Sequence, residues 1–149
     1  MLTRRAPTVA PLRVLVTGSR GKSSVVRLLH AGLNATGIPT WSRITGTDPR
    51  QLEPDGERSI ERAAGAHVEE MRWWLGKLPA DTQAVVLENS AIAPELQHLA
   101  GAWLQPQITV LTNTLPDHQE AWGATATDAA SPPVEYFFEC TTDGSASSD

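Results

Sequence analysis

The sequence has no lysine or arginine after Lys77 and a single cysteine, Cys140, in 149 residues. A lone cysteine excludes an intramolecular disulfide and fits a reducing, cytoplasmic setting. No stretch approaches the ~18 consecutive apolar residues that a membrane helix needs. Arg4-Arg5 is followed by "APTVAPL", which Pro7 and Pro11 interrupt. That segment is too short and broken for the apolar core of an export signal, so residues 1–11 read as a loose leader. Aromatics are scarce, at 5%, and the only tyrosine and both phenylalanines fall together at Tyr136–Phe138.

What is present describes a globular protein: 40% hydrophobic and 19% charged residues. A chain of this length makes one domain that buries roughly 70% of its unfolded surface. The net charge of −5 hides an asymmetry. All 12 basic residues lie before residue 78, and that half holds only seven of the 17 acids. This division suggests anion handling in the first half and cation handling in the second. The basic residues are dispersed and carry no nucleic-acid-reading motif, so a nucleic-acid partner is not expected.

Periodicity orders the chain. Val14-Leu15-Val16 marks a strand over 13–17, and Val25, Leu28, Leu29 and Leu33 mark a helix over 23–35 with one apolar stripe. Gly37 and Pro39 end that helix. A strand is predicted over 40–45, then an ordered loop over 45–57, "TGTDPRQLEPDGE", on its many turn formers. A helix follows over 59–78, capped by Ser59, with one of the adjacent Trp73 and Trp74 in the core and the other partly exposed. Strands over 84–87 and 108–111 flank a helix over 93–102. Strands alternating with helices predict an α/β fold: a three-layer, mostly parallel sheet of the P-loop type between helices. The ordered domain is expected over 12–124, and 125–149 reads as a divergent tail that ends in small polar residues.

The stretch "VLVTGSRGKSSVVRLL" places a glycine-rich turn between a strand and a helix. Helix-start N–H groups have no intrahelical partner and carry partial positive charge, and phosphate oxygens satisfy both conditions. Gly18 and Gly21 let the backbone curl around an anion, with Ser19 between them and Arg20 at the rim. Lys22 can reach the β- and γ-phosphates, while Ser23 and Ser24 offer hydroxyls to phosphate or Mg²⁺. The pattern G-x-x-G-K-S is two residues shorter than the general P-loop. It arises by chance on the order of once in a hundred chains of this length.

Two further strands end in chemistry-bearing residues. Glu88 follows four apolar residues, and a carboxylate there is costly unless paired or bound to a cation. Thr112-Asn113 and then Asp117-His118 follow "ITVL". In open parallel sheets, ligands bind beyond the carboxyl ends of strands, so Lys22, Glu88 and His118 form one candidate catalytic set. Asn113 can orient a loop or a ligand and is a candidate for ATP binding, and Ser23 and Glu88 offer oxygen ligands to Mg²⁺. In the segment 43–57, Arg43, Thr45, Thr47 and Arg50 are candidates for substrate carboxylates. A guanine-nucleotide enzyme fits less well, since no N-K-x-D signature occurs.

These motifs together resemble the Mur ligase superfamily of ATP-dependent amide ligases. "TGSRGKSS" is similar to its shortened phosphate loop, "ENSAIAPEL" to its metal-glutamate segment, and "TNTLPDHQEAWG" to its T-N-x-x-x-D-H segment. The pieces "TGTDPR" and "PDGE" bring it nearest to the poly-γ-glutamate synthase type. The resemblance covers about residues 12–124. It implies ATP and Mg²⁺, an acyl-phosphate intermediate, and an amino-acid or γ-glutamyl substrate, with glutamate the first candidate. Lys22 would hold the β- and γ-phosphates, and Glu88 and His118 a second metal ion. It leaves room for membrane-associated synthase partners, for a peripheral place at the inner membrane face through them, and for self-association. Such ligases continue through more strands and a further domain. The expectation is therefore an incomplete member: the nucleotide-binding half of a ligase, or a non-catalytic Mg-ATP-binding fragment or partner subunit.

Overall fold

The computed structural model describes residues 10–61, 69–89 and 94–115, with side chains described from residue 96 in the last of these stretches. Nine elements follow in chain order: β1 (Leu12–Thr17), α1 (Lys22–Ala35), β2 (Thr40–Ile44), β3 (Arg50–Glu53), β4 (Gly56–Ser59), α2 (Glu69–Leu75), β5 (Ala84–Glu88), α3 (Pro94–Leu104) and β6 (Ile108–Leu111). They build one six-stranded sheet in the order β4-β3-β2-β5-β1-β6. β2, β5, β1 and β6 run parallel, and β3 and β4 add an antiparallel extension beside β2. The expected α/β class, mostly parallel, is what the chain adopts.

The central strands are β-branched runs because both of their faces are covered. Along β5 every residue from Ala84 to Glu88 is buried. Leu15, Val85 and Leu87 point to one face and pack with Met71, Trp74 and Leu75 of α2 and Ala100 and Leu104 of α3. Val14, Val16 and Val86 point to the other and pack with Val26 of α1, Ile44 and Leu52. The period of two along each strand thus assigns alternate residues to opposite layers.

Three expectations about elements need correction. The segment 45–57 is not a loop throughout: after the turn at 46–49, β3 and β4 pair as a tight hairpin, with Glu53 opposite Gly56. Turn formers at Pro54-Asp55-Gly56 mark the bend of that hairpin, and the two four-residue strands are too short to show a period. Ser59 ends β4 and does not cap a helix; the described helix begins at Glu69. Leu28 is 72% exposed, and Val26 is the fully buried residue of α1. A stripe through Val26, Leu29 and Leu33 meets the sheet, and Leu28 lies off it. The paired tryptophans divide as expected. Trp74 is buried and its Nε1–H donates to Gln51 Oε1 at 2.7 Å, while Trp73 is 60% exposed.

Helix ends carry their usual signals. Gly37 has φ +81° and closes α1, its N–H reaching Asn34 O at 2.9 Å. α3 runs two residues further than its apolar pattern suggested, and Gln105, at φ 47°, and Pro106 stop it. No described helix is long and apolar enough to cross a membrane.

Candidate functional site

The parallel arrangement brings the carboxyl ends of β1, β5, β2 and β6 to one edge of the sheet. After β1 the chain turns through Gly18 at φ +123° and Gly21 at φ +79° and enters α1 at Lys22. Gly21 caps the helix without a side-chain hydrogen bond, and no acid lies in the first turn. Val25 N–H is the first to bond back, to Gly21 O at 3.1 Å. The N–H groups of Gly21, Lys22, Ser23 and Ser24 have no partner among the described residues. Four convergent donors with partial positive charge and no internal anion make a cradle for phosphate.

Lys22 folds back over this loop, and its Nζ donates to Gly18 O at 2.7 Å and Ser19 O at 3.2 Å. Among the described residues the ammonium has no carboxylate partner, which leaves its charge at the mouth of the loop. Arg20 is exposed at the rim.

Glu88 ends β5 and is 5% exposed. Ser23 Oγ donates to Glu88 Oε2 at 3.0 Å, and the Thr45 N–H donates to the same oxygen at 3.1 Å. These charge-assisted bonds compensate the burial of a carboxylate. Oε1 receives no donor from any described residue. Gly46 borders the pair: a Cβ there would stand 3.9 Å from both Glu88 Oε1 and Ser23 Oγ. A hydroxyl and a carboxylate oxygen, both hard donors, thus lie beside the phosphate cradle. That set suits Mg²⁺, which commonly takes one or two carboxylates and completes its shell with phosphate oxygens and water. Among the described residues no group of three or more His, Cys, Asp or Glu side chains could hold an ion unaided.

The other strand-end residues divide. Thr112 and Asn113, directly after β6, lie against the phosphate loop. Asn113 Nδ2 donates to Arg20 O at 2.9 Å, and Arg20 N–H donates to Asn113 Oδ1 at 3.2 Å. His118 and Asp117 lie outside the described residues. Arg43 projects to the opposite face of β2 from Ile44 and forms a buried ion pair with Glu70 of α2. Arg50 sits on the hairpin, where Asp48 holds its guanidinium firmly protonated. Thr47 is exposed in the turn that follows β2, and Thr45 contributes its backbone N–H to Glu88.

One contributor was named from the sequence without a role of its own. Thr112, whose Oγ1 donates to Arg20 O at 2.7 Å, carries no signal beyond its place after a strand. His30 joins three elements, with Nδ1 2.9 Å from Ser42 Oγ and Nε2 3.2 Å from Glu53 O. Burial is the main cause of its lowered pKa.

Comparison with known proteins fits this geometry. Residues 16–130 match the family described as Mur ligase middle domain. The chain is 34% identical over 125 residues to "PGA synthase CapB" of Bacillus subtilis (strain 168), covering 80% of this chain and 32% of that protein. It is 32% identical over 126 residues to "Capsule biosynthesis protein CapB" of Bacillus anthracis, covering 80% of this chain and 27% of that one. The chain thus spans less than a third of the length of either curated relative.

Proposed function

The chain belongs to the Mur ligase family through its middle domain, and from that premise we propose that it supplies the Mg-ATP site of an amide-forming ligase of the poly-γ-glutamate synthase type. One observation carries the reading: the open amides of Gly21–Ser24 and the Ser23–Glu88 pair at 3.0 Å share one strand-end edge. A triphosphate on those amides would bring its terminal oxygens to Lys22. Ser23 Oγ and Glu88 would hold Mg²⁺, and His118 is the further ligand suggested by the sequence. When bound, the ion offsets negative charge on the transferring phosphoryl group.

The chemistry needs this arrangement because a carboxylate is a poor electrophile. Transfer of the γ-phosphoryl to the substrate carboxylate gives the acyl carbon a leaving group. An incoming amine then displaces phosphate, giving the amide. Lys22 offsets charge on the phosphoryl oxygens, and the loop amides fix their direction. We assign γ-glutamyl units as the substrate class from the resemblance of the phosphate-loop, "TGTDPR" and "PDGE" pieces to the poly-γ-glutamate synthase type, in keeping with the name "PGA synthase" of one relative. Thr47 and Arg50 remain the candidates for holding a substrate carboxylate, since Arg43 is buried against Glu70 and Thr45 is buried with its N–H on Glu88. The whole ligation draws on whatever completes the relatives' remaining length, whether joined to this chain or provided by a partner.

Nucleotide titration of the full chain, with and without Mg²⁺, tests the site. The wild type should bind ATP more tightly with Mg²⁺. Lys22→Ala should weaken that binding at least tenfold, the scale of a lost charge-assisted contact. Equal affinities for the two proteins would remove Lys22 from the site. Glutamate-dependent release of ADP would distinguish an active ligase from a chain that only binds nucleotide.

A further inference from the structure

The residues after β6 do more than border the phosphate loop: they grip its backbone. Ser19 N–H donates to Asn113 O at 3.1 Å, and Arg20 N–H donates to Asn113 Oδ1 at 3.2 Å. Arg20 O accepts from Asn113 Nδ2 at 2.9 Å and from Thr112 Oγ1 at 2.7 Å. Ser19 Oγ donates to Leu115 O at 2.6 Å, and Thr112 N–H to Thr17 O at 2.9 Å. The two segments are 92 or more residues apart in sequence at the side-chain contacts. The fit is close enough that a Cβ on Gly18 would stand 2.3 Å from Thr112 Oγ1.

We propose that Thr112 and Asn113 are positioning residues that decide which amides of the loop face the phosphates. One side-chain amide meets both polar groups of the Arg20 backbone, so the peptide plane on each side of Arg20 is fixed. Ser19 N–H and Arg20 N–H are thereby turned to β6 and withheld from an anion. The four amides from Gly21 to Ser24 are left as the donor set. Asn113 in this role serves the loop and not the nucleotide base. The grip also ties the chain after β6, which leads to Asp117 and His118, to the state of the loop.

Part of this inference stands without nucleotide, and part rests on the reading of the loop as a phosphate site. The experiment separates the two. Backbone amide exchange is first measured by NMR on the full chain without nucleotide. Ser19 and Arg20 amides should exchange at least about tenfold more slowly than those of Gly21–Ser24, as expected for bonded against open N–H groups. Asn113→Ala should speed exchange of the Arg20 amide, whose acceptor is the Asn113 side chain, and leave Ser19, whose acceptor is the Asn113 main-chain carbonyl, protected. Equal exchange rates across 19–24 in the wild type would overturn the proposal at this stage.

Mg-ATP is then added. The amides of Gly21–Ser24 should shift, and those of Ser19 and Arg20 should not. Thr112→Val and Asn113→Ala should each weaken Mg-ATP about tenfold, the effect of misplacing one or two charge-assisted hydrogen bonds. Thr112→Ser, which keeps the hydroxyl, should bind within about twofold of wild type, a rescue that loss of packing alone would not give. Wild-type affinity in Thr112→Val and Asn113→Ala, or a phosphate response led by Ser19 and Arg20, refutes the proposal. Failure of the wild type to bind Mg-ATP would instead refute the nucleotide reading, with the amide-exchange result still deciding the grip.

Discussion

Replacing Gly18 by alanine should be the most damaging single-methyl change in the loop, and the coordinates show why. Its φ of +123° is a conformation that L residues rarely adopt, with a cost of about 1–2 kcal/mol. The added Cβ would also stand 2.8 Å from Asn113 O and 3.0 Å from Asn113 N. Both are backbone atoms, so the end of β6 must move off the loop. That movement strains the Ser19–Asn113 and Arg20–Asn113 bonds, each with a net contribution of about 1 kcal/mol. The total for Gly18→Ala is about 3–5 kcal/mol, a large part of the stability of an ordinary domain. Two other glycines serve as references. Gly21 shares a positive φ, +79°, but nothing lies within 4 Å of its Cβ position, so Gly21→Ala should cost only about 1 kcal/mol. Gly32 lies within α1 with open space around it, and Gly32→Ala should stabilise by about 0.5–1 kcal/mol through helix propensity. Urea denaturation midpoints at constant m-value measure the series. Adding Thr112→Ala to Gly18→Ala relieves only the 2.3 Å contact and should recover only part of the loss. A Gly18→Ala protein as stable as Gly21→Ala would show that β6 does not press on the loop, and the interlocking argument would fail.

The remaining expectations concern the scaffold. His30 has a pKa lowered chiefly by burial, against the opposing effects of the Glu53 carbonyl and the Glu57 carboxylate and the supporting effect of Arg27; Ser42 and Asn34 also face it. Its unfolded form therefore binds a proton more readily than its folded form. Stability should be level above pH 6.5, the ordinary value, and fall as pH drops through the depressed folded value. Urea midpoints between pH 7.5 and about 5.5, above the ordinary range of carboxylates, check this, and His30→Gln should flatten the slope; an unchanged slope would contradict it. Leu87 is fully buried and Leu28 is 72% exposed, so Leu87→Ala should cost about 3 kcal/mol and Leu28→Ala within about 0.5; comparable losses in thermal unfolding would contradict the layer assignment. The two-point Arg27–Glu57 pair, at 2.8 and 2.9 Å, is half exposed at the arginine. A double-mutant cycle should give a coupling below about 1 kcal/mol that fades in 1 M salt.

Much of this was legible before any coordinates. The strand at Leu12–Thr17, the helix at Lys22–Ala35 and the strand at Ala84–Glu88 have strong periods or unbroken apolar runs, because both faces of the sheet are covered. The loop was legible for a different reason: close anion contact needs glycines, and glycines at 18 and 21 before a lysine stand out. The hairpin was not legible. β4 has all four residues exposed, so burial imposes no pattern on it. It is held by ladder bonds and by local pairs such as Arg58 with Glu53. That Asn113 could orient a loop or a ligand was legible, but the backbone atoms that it and Thr112 hold were not, since a main-chain carbonyl has no signature in sequence. Arg43 reads in the sequence as a candidate for a substrate carboxylate, but its partner Glu70 is 27 residues away in sequence, and only the packing of α2 on the sheet brings them together.

The division of charge along the sequence acquires a narrower meaning in the fold. Arg27 pairs with Glu57, Arg43 with Glu70, Arg50 with Asp48 and Arg58 with Glu53. All eight residues belong to the basic half; each pair is neutral in itself, and the excess of that half rests on its other, dispersed basic residues. Exposed charges further apart than a Debye length, about 10 Å at 0.1 M salt, are largely screened. A broad positive field over that half therefore contributes little at the site. The cationic character that matters is local: the Lys22 ammonium, bonded among the described residues to two carbonyl oxygens, and the open amides at the start of α1. Facing them is the one buried carboxylate at a strand end, Glu88, drawn from the acidic half. On the proposed reading, anion and cation handling meet where Ser23 donates to Glu88, and not across the surfaces of the two halves.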